Sequence, residues 1–168
     1  MTDVSIRIAT AQDVDWIAQI HGTLYRRDEG FDDGFQPLVQ SVLEGFIADH
    51  DPVCERGWVV MQGDRRAGSL FCTRLSKETA KLRLFLLMPE LRGRGLGQTL
   101  LSNAMGFARD AGYQAMQVST YSRHAAACAL YQRVGFVLTD SKPARAFGHD
   151  MIEQSWQIAL SEGAPDPK

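Results

Sequence analysis

Leu82-Arg-Leu-Phe-Leu-Leu-Met-Pro-Glu-Leu-Arg-Gly-Arg-Gly-Leu-Gly-Gln-Thr-Leu-Leu101 runs an apolar strand pattern into a glycine-rich, arginine-flanked turn and then into a helical pattern. Gly93, Gly95 and Gly97 lack side chains where backbone N–H groups would otherwise be shielded. A helix beginning beside them adds unpaired donors and the positive end of its dipole. The stretch therefore reads as an anion grip suited to a pyrophosphate. Two nucleotide designs fail on spacing. Gln98 stands where a P-loop needs its lysine, and the dinucleotide fingerprint needs Gly or Ala at that same position, with an acidic residue at the usual distance beyond it.

Outward from this stretch, Val4 to Ile8 alternates as a strand, and Thr10 opens a helix with apolar spacing through Val14, Ile17, Ile20 and Leu24. A polar, glycine-broken loop from Arg26 to Gly34 separates it from a second helix carrying Leu38, Val42, Leu43, Phe46 and Ile47 on one stripe. Trp58–Met61, a Gly63-Asp64 turn and Gly68–Leu75 form a hairpin that Lys81–Met88 extends. Beyond the turn come a helix from Leu96 stopped near Gly112, a strand over Ala115–Thr120 and a helix from Ala125 to about Arg133. A strand beginning at Gly135–Thr139 then pairs with Gln154–Leu160 across a long loop.

Composition sets limits. The chain has 168 residues, 45% of them apolar and 23% charged, with a formal net charge of -2. That fits one globular domain over residues 1–161 with a flexible tail over 162–168, and gives no electrostatic bias toward nucleic acid or acidic membranes. No apolar run approaches the roughly 20 residues of a membrane span and no targeting pattern opens the chain, so the expected location is cytoplasmic. Cys54, Cys72 and Cys128 are scattered, which argues for reduced thiols and against a disulfide framework or metal site.

The spacing that does fit is [RQ]-x-x-G-x-[GA], read as Arg92-Gly-Arg-Gly-Leu-Gly97, with Ala129-Leu-Tyr-Gln-Arg-Val-Gly-Phe136 as a second match downstream. In both, in their order and in the β-α-α-β-β-β-α-β-α-β-β succession, the chain resembles the GNAT superfamily of N-acetyltransferases. Ala80–Leu87 and Phe147–Gln157 more narrowly resemble the acetyltransferase half of proteins in which a MarR-type regulator precedes such a domain. The resemblance implies an α/β (α+β) fold: a mixed, mostly antiparallel sheet of six to seven strands flanked by about four helices. It also implies acetyl-CoA as cosubstrate, a primary amine on a small molecule or peptide as acceptor, direct attack on the thioester, and a homodimer. A non-catalytic module that senses acyl-CoA or a small effector is the alternative.

By the same resemblance, Arg92, Gly93, Arg94, Gly95, Leu96, Gly97, Gln98 and Thr99 hold the pyrophosphate, and Leu86, Leu87 and Met88 offer backbone groups at a splayed strand end. The Leu87 N–H is the expected oxyanion donor, Tyr131 the group beside the sulfur, and His124 a further cofactor contact. The proton acceptor stays open. A lysine-like amine has a pKa of about 10.4, so presenting it neutral at pH 7 costs roughly 4–5 kcal/mol. The family's strand glutamate has no counterpart, since that strand carries Lys81 and Arg83 and no carboxylate before Glu90. His21 on the first helix, Glu29 and Asp32 in the loop after it, and His149 in the late loop are the candidates.

Overall fold

A computed structural model describes residues 3–160. The tail expected over 162–168 lies outside the described residues. β1 (Val4–Ile8), β2 (Arg56–Gln62), β3 (Arg65–Arg74), β4 (Thr79–Leu87), β5 (Ala115–Tyr121), β6 (Val137–Ala146) and β7 (His149–Ala159) form one seven-stranded sheet in the order β1-β2-β3-β4-β5-β7-β6. α1 (Val14–Glu29), α2 (Phe35–Asp49), α3 (Leu96–Asp110) and α4 (Ala125–Val134) complete the fold, with a short 3-10 turn over Ala11–Asp13 leading into α1. Neighbouring strands are antiparallel except β4 and β5. This is the expected α/β architecture. No helix among the described residues is long and apolar enough to cross a membrane.

Side chains on a strand alternate between faces, and the core divides accordingly. Val59 and Phe71 point to the side where Ile17, Ala18, Val39 and Leu43 bring α1 and α2. Val60, Leu70 and Cys72 point to the other, against Leu100, Leu101, Ala104 and Met105 of α3. The α2 stripe is rotated from the expected one, because Val39 and Leu43 are buried while Leu38 is half exposed.

One buried carboxylate ties the start of α1 to the sheet. Asp13 accepts from both Arg7 guanidinium nitrogens (2.9 and 2.7 Å), from Arg66 Nε (2.8 Å) and from the Thr10 N–H (2.7 Å). Burial pushes its pKa up, but these donors together outweigh burial and hold the carboxyl well below the usual range.

Two local readings are corrected, and β4 holds an irregularity besides. α1 continues to Glu29, where Gly30 at φ 67° ends it with N–H bonds back to Arg26 and Tyr25, so the connector to α2 spans only residues 30–34. A left-handed glycine after the last turn is a strong helix stop. β6 and β7 are long, and the long loop between them is instead a tight hairpin at Phe147 (φ 52°) and Gly148 (φ 88°). Two successive positive φ values are what a strand-matching hairpin turn requires. β4 carries a bulge: its register against β3 shifts between Ser69 and Phe71, Leu84 sits at φ 54°, and the Ser69 hydroxyl donates to the Leu84 carbonyl at 2.7 Å.

Candidate active site

β4 and β5 pair only over Thr79–Leu82 and Ala115–Val118, after which both strands continue without each other. The sheet is therefore split at its centre. Met88 N–H donates to Ala67 O (2.9 Å), and Leu86 stands opposite Ser69 in β3. Alternation along the strand then turns the Leu87 N–H and C=O toward the split. Of the three expected backbone contributors, Leu86 and Met88 are spent on the protein itself, since Met88 O also accepts from the Leu91 N–H. The Leu87 carbonyl accepts from Arg92 Nε at 3.1 Å, which leaves its N–H as the donor facing the gap.

At the end of β4, Pro89–Leu91 form one 3-10 turn and the chain enters the glycine turn. Gly93 and Gly95 are both at φ 78°, and nothing lies within 4 Å of the position a Cβ would take at either. Their backbones are open to a ligand. Thr99 N–H makes the first intrahelical bond of α3, to Gly95 O, so the N–H groups of Leu96, Gly97 and Gln98 have no partner within the helix. Arg92, Gly93, Arg94, Gly95, Gln98 and Thr99 are exposed. The arrangement is an electropositive cradle at the mouth of the split.

Tyr131 of α4 lies on the opposite wall, buried, with its ring 6.4 Å from Phe85 of β4 and 5.6 Å from Phe136. Burial, with Tyr25 and Cys128 nearby, pushes its phenol well above the ordinary tyrosine range. Its O–H therefore stays protonated.

The candidates for the proton acceptor fall in different places. His21 is buried, its Nδ1–H donates to Ile17 O (2.8 Å), and burial pulls its pKa down to about 4. It faces Tyr25 and Phe35 in the α1–α2 packing. Glu29 belongs to the last turn of α1 and not to a loop; Arg123 Nε holds its Oε2 at 2.9 Å, and His124 Nε2 is 3.5 Å from its Oε1. Asp32 Oδ1 accepts from the Gly34 N–H (2.9 Å) in the turn that precedes α2. His149 Nε2–H donates to Gly30 O (2.8 Å), pinning the α1–α2 connector to the β6–β7 hairpin. Asp32 N–H adds a bond to Phe147 O (3.1 Å).

Around Glu29 and His124 lies an aromatic wall that sequence reading misses. The rings of Tyr25, Phe31 and Tyr121 stand 5.4, 6.2 and 5.7 Å from the His124 ring. Burial and the Glu29 carboxylate push the Tyr25 phenol up to about 12. A sequence signal for Tyr25 exists, since His21, Tyr25 and Glu29 recur every four residues on one face of α1. Phe31 and Tyr121 come from separate segments and carry no such signal. Beside Arg123, a cleft of about 560 Å³ opens toward the β6–β7 hairpin, lined by Arg123, Arg145 and Ser122 with Pro143, Ile152 and Asp150 among its other walls.

Residues 18–136 match the Acetyltransferase (GNAT) family. The L-amino acid N-acyltransferase MnaT of Escherichia coli (strain K12) is 40% identical over 76 residues, 44% of this chain and 44% of that protein. That match spans less than half the length of the curated relative. Among solved structures, yncA from Salmonella typhimurium, determined with its cofactor acetyl-CoA, superposes with a TM-score of 0.76 over 98% of both chains at 21% identity. Spermidine N-acetyltransferase from Vibrio cholerae, in complex with CoA and spermine, superposes with a TM-score of 0.72 over 94% of this chain and 95% of its own at 18% identity. At these identities the likeness of the two structures is one of fold.

Proposed function

Since the chain belongs to the acetyltransferase (GNAT) family, we propose that it moves the acetyl group of acetyl-CoA to the primary amine of an L-amino acid by direct attack on the thioester. The observation that carries this reading is the split between β4 and β5, which opens beside the side-chain-free turn Gly93–Gly95. A pyrophosphate on the turn lets a pantetheine chain run into the gap, where the Leu87 N–H is a free donor for the developing oxyanion. Tyr131 closes the gap from α4. With its phenol raised by burial, full proton loss to a thiolate is more uphill than the roughly 2 kcal/mol that ordinary phenol and thiol pKa values give. Tyr131 therefore acts as a hydrogen-bond donor to the departing sulfur.

Two features favour an amino acid over a polyamine as the acceptor. The E. coli relative is named for L-amino acids. The cleft beside Arg123 presents Arg123 and Arg145 with Asp150 as its one acidic lining residue; Arg145 pairs with Asp150 through one nitrogen at 2.9 Å, and Arg123 pairs with Glu29 through its Nε at 2.9 Å. A chain of ammonium groups finds a single, already paired lining carboxylate there, whereas a carboxylate meets the further N–H groups that each guanidinium carries beyond its one ion-pair contact. The MarR-linked resemblance and the carboxylate-free β4 support the rival reading of an acyl-CoA sensor.

Thiol release from acetyl-CoA, followed with each of the twenty L-amino acids and with spermidine, separates these readings. Turnover is expected with at least one amino acid, and Tyr131→Phe is expected to lower kcat by about 10²-fold with CoA affinity kept. Tight CoA binding without thiol release across the whole panel would sink the enzyme reading and leave the sensor. Turnover with spermidine alone would overturn the acceptor assignment.

A further inference from the structure

Acetyl transfer to an amine needs an acceptor for the ammonium proton, and β4 supplies no carboxylate. Beyond the last pair, Leu82 and Val118, β5 runs on to Tyr121, and the turn 122–124 leads from it into α4 on the far side of the split from β4. The ionisable groups that meet there are His124, Glu29, Arg123, Tyr25 and Tyr121, with Thr120 beneath the imidazole. Arg123 holds one oxygen of Glu29 and leaves Oε1 turned to the ring. His124 Nδ1 lies 3.3 Å from the Thr120 hydroxyl, while its Nε2 is buried with no hydrogen-bond partner.

We propose that His124 Nε2 and Glu29 Oε1 together receive the acceptor's ammonium group, and that His124 takes the proton the nitrogen must lose before it bonds to the acetyl carbon. The proposal rests on the acetyl-transfer reading and not on which amine is the acceptor. Two acceptor atoms 3.5 Å apart suit an ammonium nitrogen, which needs more than one partner once it leaves water. The rings of Tyr25, Tyr121 and Phe31, which stand 5.4, 5.7 and 6.2 Å from the imidazole, keep water from its surroundings. The role requires the tautomer in which Nδ1–H donates to the Thr120 hydroxyl, which puts the lone pair at Nε2, on the carboxylate side.

The balance is simple. The ammonium sheds two protons in becoming an amide nitrogen. His124 takes the first and returns it to solvent, the nitrogen lone pair forms the N–C bond, and the C–S bond breaks with its electron pair on sulfur. The second proton ends on that sulfur. Burial pulls the His124 pKa below the ordinary imidazole value, with Glu29 opposing and Arg123 reinforcing the drop, so the ring is neutral at pH 7. His21, buried one turn before Tyr25 and bonded to its own helix, takes no part.

The test uses the full chain, acetyl-CoA, the twenty L-amino acids and spermidine. His124→Gln is expected to lower kcat by about 10²–10³-fold and to remove the acid limb of the pH profile. Imidazole added to His124→Ala is expected to restore part of the rate. Glu29→Gln is expected to raise the acceptor KM and to move the acid limb to lower pH, since the carboxylate is what holds the imidazole pKa up. An unchanged kcat and an unchanged acid limb in His124→Gln would overturn the proposal.

Nitrogen NMR of the same samples supplies a readout that needs no turnover. A neutral Nδ1–H tautomer of His124 at pH 7 is expected, and a charged ring or an Nε2–H tautomer would overturn the assignment. Failure of the wild type to release thiol with any of these acceptors would count against acetyl transfer itself, while the tautomer still decides His124.

Discussion

Of the residues singled out in the sequence, His21 shows how far residue type alone can mislead. An imidazole on a helix near the acceptor side has the ordinary pKa of a base, about 6.5. The fold buries it among Tyr25 and Phe35, uses its one N–H on Ile17 O, and leaves Nε2 without a partner. Its pKa is about 4 in the folded protein. The unfolded chain then binds more protons than the folded one between pH 6.5 and 4, so folding stability is whole above that window and is lost as pH falls through it. Urea unfolding at pH 7 and at pH 4.5 should show a drop of up to about 3 kcal/mol from this group. His21→Leu should remove this group's share and leave the smaller pH dependence that His124, Asp13 and Asp28, whose pKa values are also lowered, contribute. An equally steep pH dependence in the variant would assign the effect elsewhere.

The strand, turn and helix around Gly93–Gly97 are readable from sequence because each of their demands is local. Gly95 is the left-handed residue that opens α3, at φ 78°, and no side chain type but glycine reaches that conformation freely. Gly95→Ala should therefore cost about 1–2 kcal/mol of stability through backbone strain alone, since its Cβ would meet no atom within 4 Å. It should also weaken CoA binding, by tilting the N–H groups of Leu96 and Gly97 away from the pyrophosphate. Calorimetric titration with CoA checks this, and unchanged affinity in the folded variant would remove the turn from the site.

The β6–β7 hairpin is illegible for the opposite reason. Phe147 is a residue that avoids positive φ, and it is held there by long-range packing, its ring 5.0 Å from Phe31 and 4.9 Å from Phe35. The end of α1 lies between these cases. Gly30 signals a stop, yet the helix can be read as ending before Arg26 because Arg26, Arg27, Asp28 and Glu29 look like loop solvation until Arg123 and His124 meet Glu29. Glu29 and His124 are each visible in sequence, and their meeting, with Arg123 beside them, is not.

At the scale of the molecule, one feature organises the rest. The strands β1 to β4 and the group β5, β7 and β6 are joined in the sheet by four register pairs, Thr79–Leu82 with Ala115–Val118. Beyond them the two halves part, and the backbone groups along the split have no sheet partner. A ligand lying in the gap with its anion on the α3 turn touches both halves, so its binding energy should appear as coupling between them. At about 100 times its Kd, acetyl-CoA should add roughly 2.7 kcal/mol to the folding free energy, which for a chain of this size is a rise in Tm of about 5–10 °C.

Hydrogen exchange then tells whether the gain comes from the split. The Leu87 amide should become protected only with ligand, because without it the donor faces the gap. Amides in α3 from Leu96 to Gln98 and in β5 beyond Val118 should slow together with it. Met88 should change little, since its N–H already bonds Ala67. A shift in Tm with protection confined to α3 would mean that only the pyrophosphate is held and that the pantetheine arm does not enter the sheet, which would remove the Leu87 N–H from the chemistry.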